Sequence, residues 1–412
     1  MIEAQPISVL LEIDPQSLST TVRASMADLS IEGARLDAAF TPVPLSSGAV
    51  SSAGMAARTA DESTIVVRAT VALEDLQKLE ASNQVVAIWS DPPIAPFPTD
   101  CTPAVSTGGA SDVARALGAD RLWASTGFRG EGMVIGIVDG GVDGGRFPVV
   151  GGWSPDASNP PGSSAVEWGE HGNMCAFDAL IAAPEAAIHD YAIGRSVGIG
   201  PLLSNAFQSF HRALLQYRRD GTPHVLSNSW GLYQQSWDPF PPEHASNYTH
   251  NPRHPLTRKM LELLDAGMLV SFAAGNCGSA CPDDRCVRDT GPGHSIWGAN
   301  GHERAITVGA VNLRRDWVGY SSEGPASLHR EKPDLCGYTH FSGYFPSDTG
   351  TSAANPVVAG GLALLRGLHP GLAQDAARTA LRSTALTRSV GAWDSRLGAG
   401  IIDLFAAHGA LP

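Results

Sequence analysis

The sequence predicts an α/β protein, a mostly parallel sheet with helices on both faces, preceded by a small α+β unit of ferredoxin-like pattern. Three observations carry this. From residue 111 onward, strand-like runs, all-apolar at 133–138, alternate with helical stretches, as expected of buried parallel strands joined by crossover helices. Residues 1–97 instead run β-α-β-β-α-β, the order of a ferredoxin-like unit. Between them, residues 98–110 consist largely of Pro, Thr, Ser and Gly, a linker by composition.

In the first unit, residues 7–13 are strand-like and 15–29 helix-like, with Val22, Met26 and Leu29 on one side. Residues 31–43 alternate loosely as a strand, and 48–61 form a loop of small residues. Residues 65–71 are a strong β run, 73–79 a short helix and 85–89 a last strand. The prolines of Asp91-Pro92-Pro93 and Pro96-Phe97-Pro98 then stop regular structure.

In the second unit (111–412), 113–123 reads as a helix and 133–138 as a buried strand ending at Asp139-Gly140-Gly141. Residues 171–181 form a helix and 186–193 a strand. Leu203, Phe207, Phe210, Leu214 and Tyr217 step by four and three, which makes 204–219 an amphipathic helix. Strands follow at 224–230, 269–274 and 305–311. Residues 232–259, rich in proline and aromatics, read as surface loop, and 260–266 as helix. A helix starting near Ser352 and another over 373–382 complete the pattern.

With 412 residues, 43% hydrophobic and 17% charged, the chain can bury a large core and is not disordered. A net charge of −13, spread along the chain, argues against nucleic acid as partner, since phosphate binding needs a basic face. No apolar run reaches the length of a membrane span. The start Met1-Ile2-Glu3-Ala4 lacks the basic, then apolar, layout of a secretory signal, which gives a cytoplasmic expectation. Six scattered cysteines do not make a disulfide scaffold.

The chemistry gathers on the stretch Asp348-Thr349-Gly350-Thr351-Ser352-Ala353-Ala354-Asn355-Pro356. A polar turn runs into an apolar helix; Thr351 or Ser352 can cap it, with proline in about the first turn. A serine there faces unpaired N–H groups and the positive end of the helix dipole, a suitable place to develop an oxyanion. Ligands of open α/β sheets gather at the carboxyl ends of strands. Asp139, Ser229 and Asn276 fall at such ends, and His171 opens a helix. Each alone reads equally well as a turn or cap residue. Together they supply a hydroxyl, a base to take its proton, a carboxylate to fix the base's tautomer and an amide donor, the set that acyl transfer needs.

These segments resemble those of the subtilisin-like serine peptidases (subtilases). Val134-Ile135-Gly136-Ile137-Val138-Asp139-Gly140-Gly141-Val142-Asp143 resembles the family's aspartate block, and His171-Gly172-Asn173-Met174 stands where its histidine block stands. Asn173 and Met174 depart from the usual threonine and second histidine. Ser227-Asn228-Ser229-Trp230-Gly231 is similar to the cleft-lining strand, Ala273-Ala274-Gly275-Asn276 to the oxyanion block and Gly350–Pro356 to the nucleophile block, with alanine where methionine is usual. Ile306–Ala310 and Lys332-Pro333-Asp334 echo further family segments. The resemblance implies an endopeptidase with Ser352 as nucleophile, His171 as base, Asp139 as its partner and Asn276 with the Ser352 N–H as oxyanion donors. It implies that a protein or peptide substrate adds as a strand along Ser229, Trp230 and Gly231. It also implies that residues 1–97 act as a propeptide-like intramolecular inhibitor, with the 90–98 segment in the cleft and made a poor substrate by its prolines.

Other readings remain open at this stage. The chain could be a non-catalytic or permanently autoinhibited peptide-binding protein. An acid-acting sedolisin is disfavoured by His171 and Asn276, and an α/β-hydrolase by the absence of a Gly-x-Ser-x-Gly frame. No cofactor is expected. Asp283-Asp284 suggests structural calcium only without a supporting loop motif. Cys277, Cys281 and Cys286 have metal-like spacing but lack a fourth ligand, so thiols or a disulfide are expected instead. Cys175 reads as a small core residue. Asn247-Tyr248-Thr249 is a glycosylation sequon that a cytoplasmic location would leave silent.

Overall fold

The computed structural model describes residues 5–18, 29–46, 63–99, 105–164, 167–194, 201–386 and 393–412. Most of the helix expected over 15–29 and all of the 48–61 loop lie outside them; Pro15–Ser17 is a single 3₁₀ turn.

The first unit is an antiparallel sheet of β1 (Ile7–Ile13), β2 (Ala34–Leu36), β3 (Val43–Leu45), β4 (Thr64–Val71) and β5 (Val85–Ser90). Its order is β2-β4-β1-β5, with β3 also on β4, the spatial order of a ferredoxin-like sheet. The short helix α1 (Leu76–Glu80) precedes β5. The single strand expected over 31–43 is instead two short ones on β4, in register at Ala34↔Val71 and Val43↔Val66. Asp37 causes the break: its Oδ1 accepts from the Ala39 N–H at 2.9 Å, closing a turn that no continuous strand can follow.

The sheet docks onto the rest of the chain. Buried Glu12 accepts from Thr64 Oγ1 (2.5 Å), Trp89 Nε1 (2.9 Å) and Arg258 Nη1 (2.9 Å). Arg68 Nη1 donates to Ser204 Oγ at 3.0 Å and Asn205 Oδ1 at 3.1 Å. Leu10, Phe40, Val43 and Trp89 share one apolar cluster with Phe207, Phe210 and Met260. A short strand, β6 (Ala95–Pro96), leads away from this interface.

The second unit is a seven-stranded parallel sheet. Its strands are β7 (Val134–Asp139), β8 (Val149–Trp153), β9 (Ala187–Ala192), β10 (Val225–Asn228), β12 (Leu269–Ala273), β13 (Ile306–Val311) and β14 (Leu335–Tyr338). The order is β14-β13-β12-β10-β7-β9-β8, so the chain reverses direction across the sheet between β7 and β10. That switch point is where such sheets open a crevice. The two-residue β11 (Trp230–Gly231) leaves this sheet and pairs antiparallel with β6.

The helix expected over 113–123 is two, α2 (Ala110–Leu117) and α3 (Ala119–Thr126), because Gly118 turns left-handed (φ 76°) and caps the first. The remaining helices are α4 (His171–Ala182), α5 (Leu203–Asp220), α6 (Pro255–Ala266), α7 (Thr351–Leu368), α8 (Gln374–Ser383) and α9 (Leu404–Ala410). The region read as loop up to residue 259 ends earlier. His254 accepts the Leu256 N–H at Nδ1 and Pro255 takes the first helical position, so α6 starts there. Helices α4 and α7 cross closely beside the sheet; a side chain at Gly360 would collide with the Ala179 carbonyl.

Buried histidines give the fold an acid limit. Burial lowers His254 to about 3 and His189 and His302 to about 4. All three are therefore neutral in the folded chain near pH 7, with His254 Nε2 donating to the Ser90 carbonyl at 2.9 Å. Unfolded, each takes up a proton near the ordinary value of about 6.5. Their contribution is thus fully present above that value and is lost as pH falls toward 4. Asp91 has the opposite sense: burial raises it to about 6, so its contribution is lost as pH rises through 6. His211, also lowered to about 4, adds to the histidine side, while Asp178, Asp238 and Asp348, raised by burial, add to the carboxyl side. The histidine part is isolated by substitution: between pH 6.5 and 4 the melting temperature of His254→Gln is expected to change less in the downward direction than that of the unaltered chain, and an identical pH dependence of the two would contradict the neutral, buried assignment.

Candidate active site

Asp139 ends β7 and is 1% exposed. Its Oδ1 accepts from the Gly140 N–H at 2.8 Å, which holds the carboxylate at the strand's end. His171 opens α4 after three consecutive left-handed residues, Trp168, Gly169 and Glu170. Such conformations are costly for a tryptophan and a glutamate, and they cluster at functional sites. His171 Nδ1 lies 2.8 Å from Asp139 Oδ1 and 3.0 Å from Oδ2. That contact places the proton on Nδ1 and leaves Nε2 as acceptor. Nε2 is buried and has no hydrogen-bond partner among the described residues.

Ser352 is the second residue of α7 and fully buried. The cap expected from Thr351 or Ser352 is absent: Gly350 (φ 79°) holds the N-cap position and no side chain caps the helix. Pro356 lies inside the helix rather than in its first turn. A proline cannot donate to the carbonyl four residues before it. The Ser352 carbonyl, so released, accepts from Ser229 Oγ at 3.2 Å, with Cys175 Sγ at 3.6 Å. Ser352 Oγ donates to the Ser229 carbonyl at 3.2 Å, so its hydrogen bond does not run to His171. Cys175 Sγ bridges the two halves, 3.8 Å from His171 Nδ1 and 3.6 Å from Asp139 Oδ2. It thus lies beneath the site as well as in the core. Burial first, and the Asp139 carboxylate next, push its thiol well above the ordinary range, which keeps it protonated.

Asn276 follows β12 and is fully buried. Its Oδ1 accepts from the Thr351 N–H (2.9 Å) and from Thr351 Oγ1 (3.0 Å), so its Nδ2 must face the cleft. There Nδ2 donates to the Phe97 carbonyl at 2.5 Å and reaches the Pro98 carbonyl at 3.2 Å. Asn355 Nδ2 donates to the Asn228 carbonyl at 3.1 Å and ties α7 to the end of β10. Neither Thr351 nor Asn355 stood out as an orienting residue in the sequence, although both lie within the conspicuous 348–356 stretch.

The chain in the cleft is the protein's own. Ala95 pairs with Gly231 and Pro96 with Trp230, and the Phe97 N–H donates to the Ser229 carbonyl at 3.2 Å. Ser229, Trp230 and Gly231 thus line residues 95–97 of the same chain, which lie along them as a short antiparallel strand. The Phe97 ring packs among Tyr233, Ala273, Cys277 and Cys286, with Trp237 beside them. Tyr233 meets it edge-on at 5.1 Å between centroids. A side chain at Gly350 would run into the Phe97 carbonyl oxygen, so this glycine is required by close approach as well as by its φ.

The cysteine cluster is oxidised: Cys277 and Cys286 form a disulfide, and Cys281 is also disulfide-bonded. Asp283 pairs with Arg285 (2.8 Å) and caps the 284–286 turn. Committed in this way, it does not fit a calcium ligand set with Asp284. The Asn247 amide is buried and donates to the Phe240 carbonyl at 2.7 Å, so the sequon cannot carry a glycan in the folded chain. Asn173, which departs from the usual threonine, accepts the Asp143 N–H at 2.8 Å.

This fold and these segments define a class. The chain belongs to the subtilase family, whose model matches residues 130–400. Among curated proteins it is similar to serine protease AprX of Bacillus subtilis (strain 168), 31% identical over 34% of this chain and 35% of that protein. It is 35% identical to subtilisin DY of Bacillus licheniformis over 29% of this chain and 40% of that protein. It is 27% identical to the subtilisin-like protease PopC of Myxococcus xanthus (strain DK1622) over 63% and 57%. The matched stretches thus span between about a third and just over half of these relatives' lengths. Among solved structures, fervidolysin from Fervidobacterium pennivorans, a keratinolytic enzyme related to subtilisin, superposes with a TM-score of 0.60 at 16% identity, covering 99% of this chain and 61% of that one.

Proposed function

We propose that the protein is a serine endopeptidase acting on proteins or peptides through Asp139, His171 and Ser352, and that residues 1–97 inhibit it from within the same chain. One observation carries the reading: the Phe97 carbonyl sits on Asn276 Nδ2 at 2.5 Å, at the end of a segment strand-paired with Trp230–Gly231. A substrate entering the same way would present its scissile carbonyl to that donor. A turn of the Ser352 side chain away from the Ser229 carbonyl would bring Oγ toward His171 Nε2, the acceptor left free. His171 would take the hydroxyl proton as Ser352 attacks, and return it to the leaving amine. Asp139 would stabilise the imidazolium, and Asn276 with the Ser352 N–H would hold the oxyanion, the amide contributing a factor of about 10²–10³. An acyl-enzyme would then be hydrolysed.

The domain reading that goes with this is 1–97 as inhibitor, 98–110 as linker and 111–412 as peptidase. No nucleic acid partner is proposed. Among the described residues, no helix is long and apolar enough to cross a membrane. The Cys277–Cys286 bridge favours an oxidising compartment over the cytoplasm expected from the N-terminal sequence.

One contact favours the rival reading of a peptide-binding protein that never turns over, namely the Ser352 hydroxyl engaged with Ser229 rather than His171. Labelling with a fluorophosphonate separates the two. The Phe97→Ala chain, in which the pocket is emptied, is expected to react covalently at Ser352, and Phe97→Ala with Ser352→Ala is not. Absence of reaction in Phe97→Ala would favour the rival.

A further inference from the structure

Prolines flank Phe97 on both sides, and neither can donate a backbone hydrogen bond. Whatever holds the chain at these two positions must therefore donate to their carbonyls. Two side chains do so at both positions, beside Asn276 Nδ2, which reaches the Pro98 carbonyl alone at 3.2 Å. Tyr233 Oη lies 2.9 Å from the Pro96 carbonyl and 3.3 Å from that of Pro98. Arg285 reaches the same pair, Nη1 at 3.4 Å from the Pro96 carbonyl and Nη2 at 3.1 Å from the Pro98 carbonyl.

Both donors are fixed in place. Tyr233 is fully buried. The Arg285 guanidinium stacks over its ring at 4.0 Å. Asp283 grips the other edge of the guanidinium, Oδ1 to Nε at 2.8 Å and Oδ2 to Nη2 at 3.0 Å. Gln234 Nε2 holds the Arg285 carbonyl at 2.7 Å, and the neighbouring Cys286 is tied to Cys277, which directly follows Asn276. The loop that carries Arg285 is thus anchored beside the oxyanion donor.

We propose that Tyr233 and Arg285, oriented by Asp283, form a carbonyl clamp for the main chain on either side of the residue in the pocket, for peptide substrates as for the inhibitory segment. This rests on the peptidase reading above. The clamp touches only backbone carbonyls, so it is indifferent to the side chains at those two positions and accepts proline at both. Selection falls to the pocket, where Tyr233, Trp237 and the Cys277–Cys286 bridge surround an aromatic ring. The substrate class is a peptide with an aromatic residue in the pocket and at least one residue beyond it, whose carbonyl Arg285 binds.

The test uses the full chain carrying Phe97→Ala, which takes the ring out of the pocket and leaves the segment only its main-chain contacts, so that added substrate in excess competes for the cleft. Two substrates share Ala-Ala-Pro-Phe; one continues as a peptide beyond Phe, the other ends there as an anilide with no further carbonyl. Arg285→Ala is expected to lower the ratio of kcat/KM, peptide over anilide, by about tenfold, the loss of a hydrogen bond from a charged donor. Any change in release of the segment acts on both substrates and cancels in the ratio. Arg285→Lys keeps the charge without the planar fork and should recover part of the ratio. Hydrolysis of both substrates with an unchanged ratio overturns the clamp and leaves the peptidase reading standing. Hydrolysis of neither substrate by the Phe97→Ala parent overturns both.

Discussion

Asp139→Asn is expected to slow reaction at Ser352 by about 10⁴-fold while leaving the fold intact. The carboxylate is 1% exposed and meets His171 Nδ1 through both oxygens, at 2.8 and 3.0 Å. It does two things that an amide cannot do together: it keeps the Nδ1 proton in place, so that Nε2 stays an acceptor, and it supplies the charge that offsets an imidazolium as the serine proton moves. An amide of the same shape can rotate to offer its NH₂ and reverse the tautomer. The buried Cys175 thiol cannot take over as counter-charge or as nucleophile, because burial, the largest of the causes that raise it, keeps it protonated even without the carboxylate. The effect should exceed the factor of about 10²–10³ that one oxyanion donor supplies. The measurement is the rate constant for fluorophosphonate labelling in the Phe97→Ala background, with circular dichroism to show the fold. A fall of less than tenfold would mean that the Asp139–His171 contact does not govern the chemistry.

Much of this arrangement was legible in the sequence because the buried sheet leaves a plain signature. The fully buried runs that end at Asp139, before Ser229 and before Asn276 are central strands, the first of them all-apolar up to Asp139, and their carboxyl ends face one rim. The β-α-β-β-α-β reading of residues 1–97 agrees with the antiparallel sheet found there, although its 31–43 strand is split in two and most of its first helix lies outside the described residues. Elements at the sheet's edges were harder. The outermost strand, Val149–Trp153, contains Gly151 and Gly152 and exposes Val150, so it lacks a buried strand's run of apolar residues. The four residues of Leu335–Tyr338 are too short to show a period. The start of α6 was hidden because histidine is not among the usual N-cap residues.

The features of the site that escaped notice are those made by distant contacts. Pro356 reads as an early-helix proline, but its consequence is a released Ser352 carbonyl that only the fold brings to Ser229. Tyr233 and Arg285 matter because residues 96 to 98 return to them from far along the chain, and no periodicity records that. The cysteine spacing, short of a fourth metal ligand, pointed to thiols or a disulfide without choosing between them; the proximity of Cys277 and Cys286 decides for a disulfide.

On the function proposed, Pro98→Ala is expected to turn the segment resident in the cleft into a substrate. In the native chain the bond after Phe97 is already held as a peptidase would hold it. The Phe97 carbonyl is on Asn276, its N–H is on the Ser229 carbonyl, its ring is in the pocket, and the flanking carbonyls are on Tyr233 and Arg285. The leaving group is what is wrong. Expulsion requires His171 to deliver a proton to the nitrogen, and in proline that nitrogen carries the ring Cδ where an ordinary amide carries hydrogen. The ring crowds the imidazole's approach, and the same tight grip keeps the uncut segment in place against competitors. Alanine restores the N–H and leaves the carbonyl that the clamp uses. The variant is therefore expected to separate into residues 1–97 and 98–412, seen as two masses under denaturing, reducing conditions, while Pro98→Ala with Ser352→Ala stays whole. A Pro98→Ala chain that remains intact, yet whose Ser352 reacts with fluorophosphonate when Phe97 is also replaced, would show that the segment is held by strand pairing and pocket alone and is not presented to the nucleophile at all.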